Sequence, residues 1–219
     1  MCPKNEMFSI DLHEVQKQIF MGKAARFKII AKGRRFGLTR GLALFAVLKM
    51  ITDGGINVLW VDTIYSNIER YFDRYFRPEL KKLSGKMWNK NKSELKIITN
   101  NSDTTSVLDM RSADRPENLE GFGYHLIIIN EAGIVLKNRN LWQESILPMT
   151  LDYKAEVIIG GTPKGKRTKK NEKHLFYELY GRGDTPLHPS QEGIKNDWVS
   201  FNYSSYDNPL LDPNDIDEL

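Results

Sequence analysis

The residues best suited to chemistry lie in the run Ala31-Lys-Gly-Arg-Arg-Phe-Gly-Leu-Thr39. Glycines beside cations and a hydroxyl suit a phosphate-binding loop. In such a loop, consecutive backbone N–H groups and the N-terminus of the following helix converge on phosphate oxygens. In the common form, G-x-x-x-x-G-K-[ST], the lysine reaches the outer phosphates and the hydroxyl binds Mg2+. Gly37 and Thr39 match that form, Leu38 stands in the place of the lysine, and Lys32 in the place of the first glycine. A leucine side chain has no donor for a phosphate. The cations at hand are Lys32, Arg34 and Arg35, so the charge has moved towards the start of the loop. Lys32, the one lysine in the run, is expected to make the main phosphate contact. Gly33, Arg34, Arg35, Phe36, Gly37, Leu38 and Thr39 complete the wrap, with Arg35 also a candidate catalytic cation. The competing reading of this run by itself is a Gly/Arg-rich surface turn ahead of a helix.

A second constellation follows at Leu126-Ile-Ile-Ile-Asn-Glu-Ala132. It reads as an apolar strand that delivers two polar side chains at its C-terminal end, where parallel sheets gather their ligands. In ATPases of this architecture that strand end carries an acid for hydrated Mg2+, then a glutamate that polarises the attacking water. Glu131 fits the glutamate. Asn130 takes the place of the acid; its amide oxygen can accept from a metal-bound water but brings no charge. Thr39 and Asn130 are the candidate metal-site residues, and Asn130→Asp is expected to strengthen Mg2+-dependent nucleotide binding. Polar capping of a strand end is the bland alternative.

These groups need a scaffold, and the hydrophobic periodicity supplies one. Leu12, Val15, Ile19 and Phe20 fall at helical spacing, and Phe27–Ala31 is a short apolar run typical of a buried strand. Gly41–Ile51 predicts a helix stopped by Gly54-Gly55, and Val58–Val61 a second strand. The spacing of Ile64, Ile68, Tyr71, Phe72 and Tyr75 predicts a helix broken at Pro78, its aromatics being core groups. Leu95–Ile98 and Ser106–Met110 read as paired strands around a turn at Asn100–Asp103. Strands at His125–Ile129 and Val157–Ile159 follow, with a helix from about Leu141. Continuous apolar strands alternating with helices indicate an α/β fold with a mainly parallel sheet covered on both faces.

The 219 residues carry 40% hydrophobic and 27% charged side chains, the balance of a globular domain with one sizeable core. No apolar stretch approaches the length of a membrane span, and Lys4, Asn5 and Glu6 follow Met1 too closely for a secretory signal. One cysteine, Cys2, excludes an internal disulfide and suits a reducing compartment, and the four histidines lack metal-ligand spacing. The formal net charge of +4 is compatible with a polyanionic partner. Lys164–Lys173 concentrates six cations against one acid and reads either as a DNA-facing or subunit-facing loop or as a solvated one. His13 reads as a helix-start residue and Trp60 as a strand residue packed on the sheet. From Asn202 the chain turns polar, and Asp215–Leu219 looks like the first turn of a helix. Residues 1–201 are therefore expected to form the domain, and 202–219 the start of a solvated linker.

Taken together, these segments resemble the ATPase domain of the large terminase subunit, the motor that packages double-stranded DNA into tailed bacteriophage heads. The strongest likeness is Ser112-Ala-Asp-Arg-Pro-Glu-Asn-Leu-Glu-Gly121, just ahead of the Asn130-Glu131 strand. Leu12-His13 with Gln16, Gly33–Gly37, Gly160-Gly-Thr-Pro163, His174–Tyr180 and Asn208-Pro209 are similar in order and spacing.

The resemblance implies an ASCE-type P-loop ATPase fold. It implies that Gln16 recognises adenine, that Lys32–Thr39 wraps the phosphates of ATP with Mg2+, that Glu131 activates water, and that Thr162 senses the γ-phosphate. Lys32 matches a variant loop in which the lysine comes first. Where many relatives carry a trans-acting arginine, this chain has Glu120, and Arg115 or Arg111 are the available substitutes. Implied partners are double-stranded DNA, further copies in a ring, the capsid portal and the small terminase subunit, with no membrane, in the host cytoplasm. Full-length members add an RNase H-like nuclease after this domain, and this chain ends where that nuclease should begin, so nuclease activity is not expected here. The competing expectations are a nucleotide-binding assembly module with little turnover and a helicase-like ATPase.

Overall fold

One eight-stranded sheet organises the chain in a computed structural model that describes residues 11–22, 25–83, 87–99, 104–119, 122–184 and 197–217. In chain order the strands are β1 (Phe27–Lys32), β2 (Asn57–Asp62), β3 (Trp88–Asn91), β4 (Glu94–Thr99), β5 (Thr104–Ser112), β6 (Leu126–Ile129), β7 (Glu156–Gly161) and β8 (Trp198–Tyr203). Across the sheet they run β3-β4-β5-β2-β6-β7-β1-β8. Every pairing from β5 to β8 is parallel, and β4 is antiparallel to both of its neighbours. β7 separates β1 from β6, so the strand entering the phosphate loop and the strand ending at Asn130 lie one place apart. That is the strand order of the expected α/β, ASCE-type arrangement.

Both faces of the sheet are covered because its central strands are apolar on both sides. All six residues of β1 and all four of β6 are buried. On one face lie α1 (Glu14–Lys17) with its continuation Gln18–Gly22, then α2 (Leu38–Thr52), α3 (Tyr65–Tyr71) and α4 (Arg77–Leu80). On the other lie α5 (Ala132–Val135), the wide turn Leu141–Ile146 running into α6 (Leu147–Met149), and α7 (Leu175–Asp184). Phe72 and Phe76 are buried in the first layer and Trp60 is 1% exposed, matching their reading as core. Lys28, buried in β1, donates to the Phe20 carbonyl and pairs with Glu156 at 2.9 Å.

The helix expected to break at Pro78 runs on through it. Residues Phe72–Phe76 open into a π-turn, and Pro78 then occupies the first turn of α4, where its fixed φ suits the helix. The polar strand β3, Trp88-Asn-Lys-Asn, lies at the sheet edge and carries no alternating apolar pattern, so periodicity does not mark it as a strand. The expected turn at 100–103 and the residues Glu120 and Gly121 lie outside the described residues.

The linker expected from residue 202 is corrected by the structure. Asn202 and Tyr203 finish β8 in register with Ala31 and Lys32. Ser204 then caps a 3-10 turn at Ser205–Asp207, and Asn208 is 7% exposed. The polarity that resembles a solvated linker belongs instead to capping side chains. Beyond them, Pro213–Asp217 forms a short helix, α8. No helix among the described residues is long and apolar enough to cross a membrane.

Candidate active site

The loop from Gly33 to Gly37 joins β1 to α2 at the C-terminal edge of the sheet. Two of its residues adopt left-handed backbone, Arg35 at φ 60° and Gly37 at φ 84°. The second suits glycine, which has no Cβ to clash there. The loop is held from outside at almost every residue. The Gly33 N–H donates to the Tyr203 carbonyl at 2.8 Å, Ser205 Oγ to the Arg34 carbonyl at 2.6 Å, and Asn208 Nδ2 to the Arg35 carbonyl at 2.7 Å. Phe36 is fully buried, stacked on Tyr203 with ring centroids 5.1 Å apart and edge-on to His13. With the carbonyls tied back to the segment 203–208, the loop is pre-set before any ligand arrives.

Lys32 ends β1, 9% exposed, and its Nζ donates to Thr162 Oγ1 at 3.1 Å and pairs with Glu131 Oε1 at 3.7 Å. Three adjacent strand ends, β6, β7 and β1, therefore bring together Glu131, Thr162 and Lys32. Glu131 has left-handed backbone at φ 51° and stands at the N-cap of α5 without a side-chain cap bond. Gly133 and Gly161 let these segments meet backbone to backbone. A Cβ at Gly133 would collide with the Thr162 carbonyl, and one at Gly161 would lie 2.6 Å from the Ala132 nitrogen.

Thr39, in the first turn of α2, donates through Oγ1 to Asn130 Oδ1 at 3.1 Å. Asn130 is fully buried, and its Nδ2 donates to Asp62 Oδ2 at 2.7 Å. Asp62, also fully buried at the end of β2, accepts at its other oxygen from the Thr63 N–H and hydroxyl. Burial pushes the Asp62 carboxyl above its ordinary range, opposed by the bonds from Asn130 and Thr63 and assisted by the nearby Glu131 charge. Burial, then the Asp62 and Glu131 carboxylates, raise the Tyr71 phenol to about 12. A hydroxyl and an amide oxygen with a carboxylate behind them are hard oxygen donors, the chemistry that Mg2+ prefers.

The remaining candidates divide by exposure. Leu38 is 1% exposed in the core, its side chain pressed against Gly160, so the lysine position of the common motif points away from the loop's mouth. Arg34 and Arg35 have exposed side chains. Gln16 is 1% exposed; its Nε2 donates to the Gly37 carbonyl at 3.1 Å and its Oε1 accepts from His13 N, while His13 Nδ1 caps α1. Arg111 is committed to Ser93 and Asp109. Arg115 is exposed nearby, and both line a cleft of about 880 Å³ with Tyr65 and Lys92. The basic run after Thr162 folds as a small hairpin bridged at Arg167 and Lys173, beside a cavity of about 420 Å³ lined by Lys137, Lys164, Lys169 and Lys170.

Asp62, Ser205 and Asn208 were not among the sequence candidates. Asp62 carried a usable signal, since it follows the apolar run Val58–Val61 just as Asn130 follows Leu126–Ile129. The other two lie in a segment whose polarity reads as linker, although Asn208-Pro209 is among the runs that carry the family resemblance.

No protein-family model matches the chain. Over 92% of its length it is 25% identical to the large terminase subunit of Thermus phage G20c, and it spans 44% of that relative's length. Its fold superposes on the large terminase ATPase domain of Thermus phage P74-26 with a TM-score of 0.73 at 23% identity, covering 92% of this chain and 84% of that one. A large terminase from the thermophilic bacteriophage D6E, solved in complex with ADP, gives a TM-score of 0.66 at 14% identity over 94% of this chain and 49% of its own. Large-terminase homologues and structures of their ATPase domains thus cover most of the chain, and the fold is that of those ATPase domains.

Proposed function

We propose that this chain is the ATP-hydrolysing motor domain of a large terminase subunit, taking ATP with Mg2+ and driving double-stranded DNA into a procapsid. The observation that carries the reading is the convergence of Lys32, Thr162 and Glu131 within 3.7 Å contacts at the mouth of the pre-set loop. It is supported by relatives that are large terminase subunits and by a fold neighbour that holds ADP.

In this reading the N–H groups of Arg34–Thr39 surround the phosphates, and Lys32 turns from Glu131 to the outer phosphate oxygens. Gln16 keeps one amide hydrogen on Gly37 and has a second for the base. Thr39 and Asn130 would hold Mg2+, which would supply neutralisation of the phosphate charge when bound. Glu131, released from Lys32, accepts a proton from a water whose oxygen bonds to the γ-phosphorus. The bond from that phosphorus to the bridging oxygen breaks, and ADP leaves with the electron pair. Thr162 senses the γ-phosphate, and the basic hairpin that follows it faces the DNA backbone, where lysine and arginine neutralise phosphates without reading sequence. Further copies of the chain form a ring on the capsid portal, served by the small subunit in the host cytoplasm. Arg115 is the exposed cation available to a neighbour's nucleotide.

The Lys32–Glu131 pair also favours a second reading, a nucleotide-binding module with little turnover, because the proposed base is engaged by a cation. Steady-state ATP hydrolysis, with and without double-stranded DNA and from nanomolar to high micromolar protein, separates the two. The motor reading expects slow turnover that rises with concentration and with DNA. An arginine supplied in trans is worth about a thousandfold or more. Nucleotide binding with no turnover under any of these conditions would establish the second reading.

The segment 203–208 gives a further expectation. Asn208→Ala leaves the Arg35 carbonyl without its donor, a loss of about 1–3 kcal/mol at a half-buried bond. Nucleotide affinity should fall about tenfold while the far-ultraviolet circular dichroism is unchanged. Unaltered affinity in a titration with a fluorescent nucleotide would separate the segment from the loop.

A further inference from the structure

Asn130 lacks the charge that a Mg2+ site of this kind uses, yet the group behind it is an acid. We propose that Asp62 is the displaced acid of this site. From the neighbouring strand it fixes the Asn130 amide with its oxygen towards Thr39 and returns a negative charge to the metal position. The proposal rests on the nucleotide and Mg2+ reading above.

β2 and β6 are adjacent and parallel, with Val61 opposite Ile129, so Asp62 and Asn130 emerge side by side from the sheet edge. Both are fully buried. An ionised carboxylate only accepts, so it selects the NH2 end of the amide, as the 2.7 Å bond from Asn130 Nδ2 to Asp62 Oδ2 requires. The amide oxygen is thereby turned to Thr39 Oγ1 at 3.1 Å. The second carboxylate oxygen is pinned by the Thr63 N–H at 2.7 Å and its hydroxyl at 3.2 Å, so the acid cannot rotate away. A chain running carboxylate, amide, hydroxyl polarises each bond in turn and makes the Asn130 oxygen a stronger acceptor than a free amide. Among the described residues Asp62 has no ion pair, and its hydrogen-bond partners are Asn130 and Thr63. Asp62 is in this sense a positioning residue, acting through Asn130.

The arrangement revises the expectation for Asn130→Asp. That exchange would set two carboxylates where the structure has a 2.7 Å amide–carboxylate bond, and their repulsion works against the added charge. The informative variant is the double exchange Asp62→Asn/Asn130→Asp, which keeps one carboxylate and one amide and swaps their places.

The test is equilibrium binding of fluorescent ADP to the full chain, in excess Mg2+ and in EDTA. The ratio of the two affinities is the readout. For Asp62→Asn the ratio should fall about 10- to 100-fold with the metal-free affinity unchanged, the usual scale for removing a group that orients a metal ligand. The double exchange should restore the ratio to the parent value or above. An unchanged ratio in Asp62→Asn overturns the proposal. Equal loss in both conditions without restoration also overturns it, assigning Asp62 a purely structural role. If Asp62→Asn fails to fold by circular dichroism, the double exchange decides: a ratio below the parent's refutes the proposal. A parent chain that binds no nucleotide at all would instead remove the nucleotide site on which it rests.

Discussion

Glu131→Gln is expected to abolish ATP hydrolysis while leaving nucleotide affinity intact or slightly raised. The amide keeps the size and the left-handed backbone of the glutamate, so α5 and its contact with Thr162 should be preserved. What is lost is the proton acceptor, worth about 10²–10⁴ in rate for a general base. Affinity should not fall with it, because the change also releases Lys32 from its 3.7 Å ion pair and leaves the lysine free for phosphate. Single-turnover phosphate release and equilibrium binding on the same preparation measure both quantities. Undiminished release in this variant would remove Glu131 as the base.

Lys32→Ala should have the largest effect on binding. Its ammonium is the charge at the loop's mouth, and charge-assisted hydrogen bonds contribute about 1.5–3 kcal/mol, or roughly 10- to 100-fold in affinity. Arg34→Ala and Arg35→Ala, whose side chains are exposed, serve as the comparison and should change affinity far less. Leu38→Ala, which the motif alignment would suggest as the control, is unsuitable. Leu38 is buried against Gly160, and truncating it should cost about 2–5 kcal/mol of folding stability. Equal, small effects of Lys32→Ala and Arg34→Ala would dismiss the displaced lysine.

The central strands were legible because their apolar runs are uninterrupted, and β1, β2, β6 and β7 were located to within a residue or two at most ends. The edge strand β3 was not, because an edge needs no apolar pattern. The helix that continues through Pro78 is not legible, because hydrophobic spacing does not reveal a π-turn. At the site, Lys32, Thr39, Asn130, Glu131 and Thr162 were readable from residue type and from their places at strand ends. Their pairings were not, since each joins segments far apart in sequence: Lys32 to Thr162, Thr39 to Asn130, Asn130 to Asp62. Asp62 shows the limit most clearly, because its burial and its partner exist only once β2 and β6 lie side by side.

The tie between residues 203–208 and the phosphate loop also makes the site a mechanical element. Tension applied to the chain beyond Asn208 would reach the Arg34 and Arg35 carbonyls through one hydrogen bond each, with no intervening spring. A load in that direction peels Ser205 and Asn208 off one at a time, and each release lets the loop relax from its pre-set shape. Nucleotide grip and mechanical load would thus be two readings of one geometry. Pulling should hasten nucleotide loss, and bound nucleotide should raise the force at which the segment detaches.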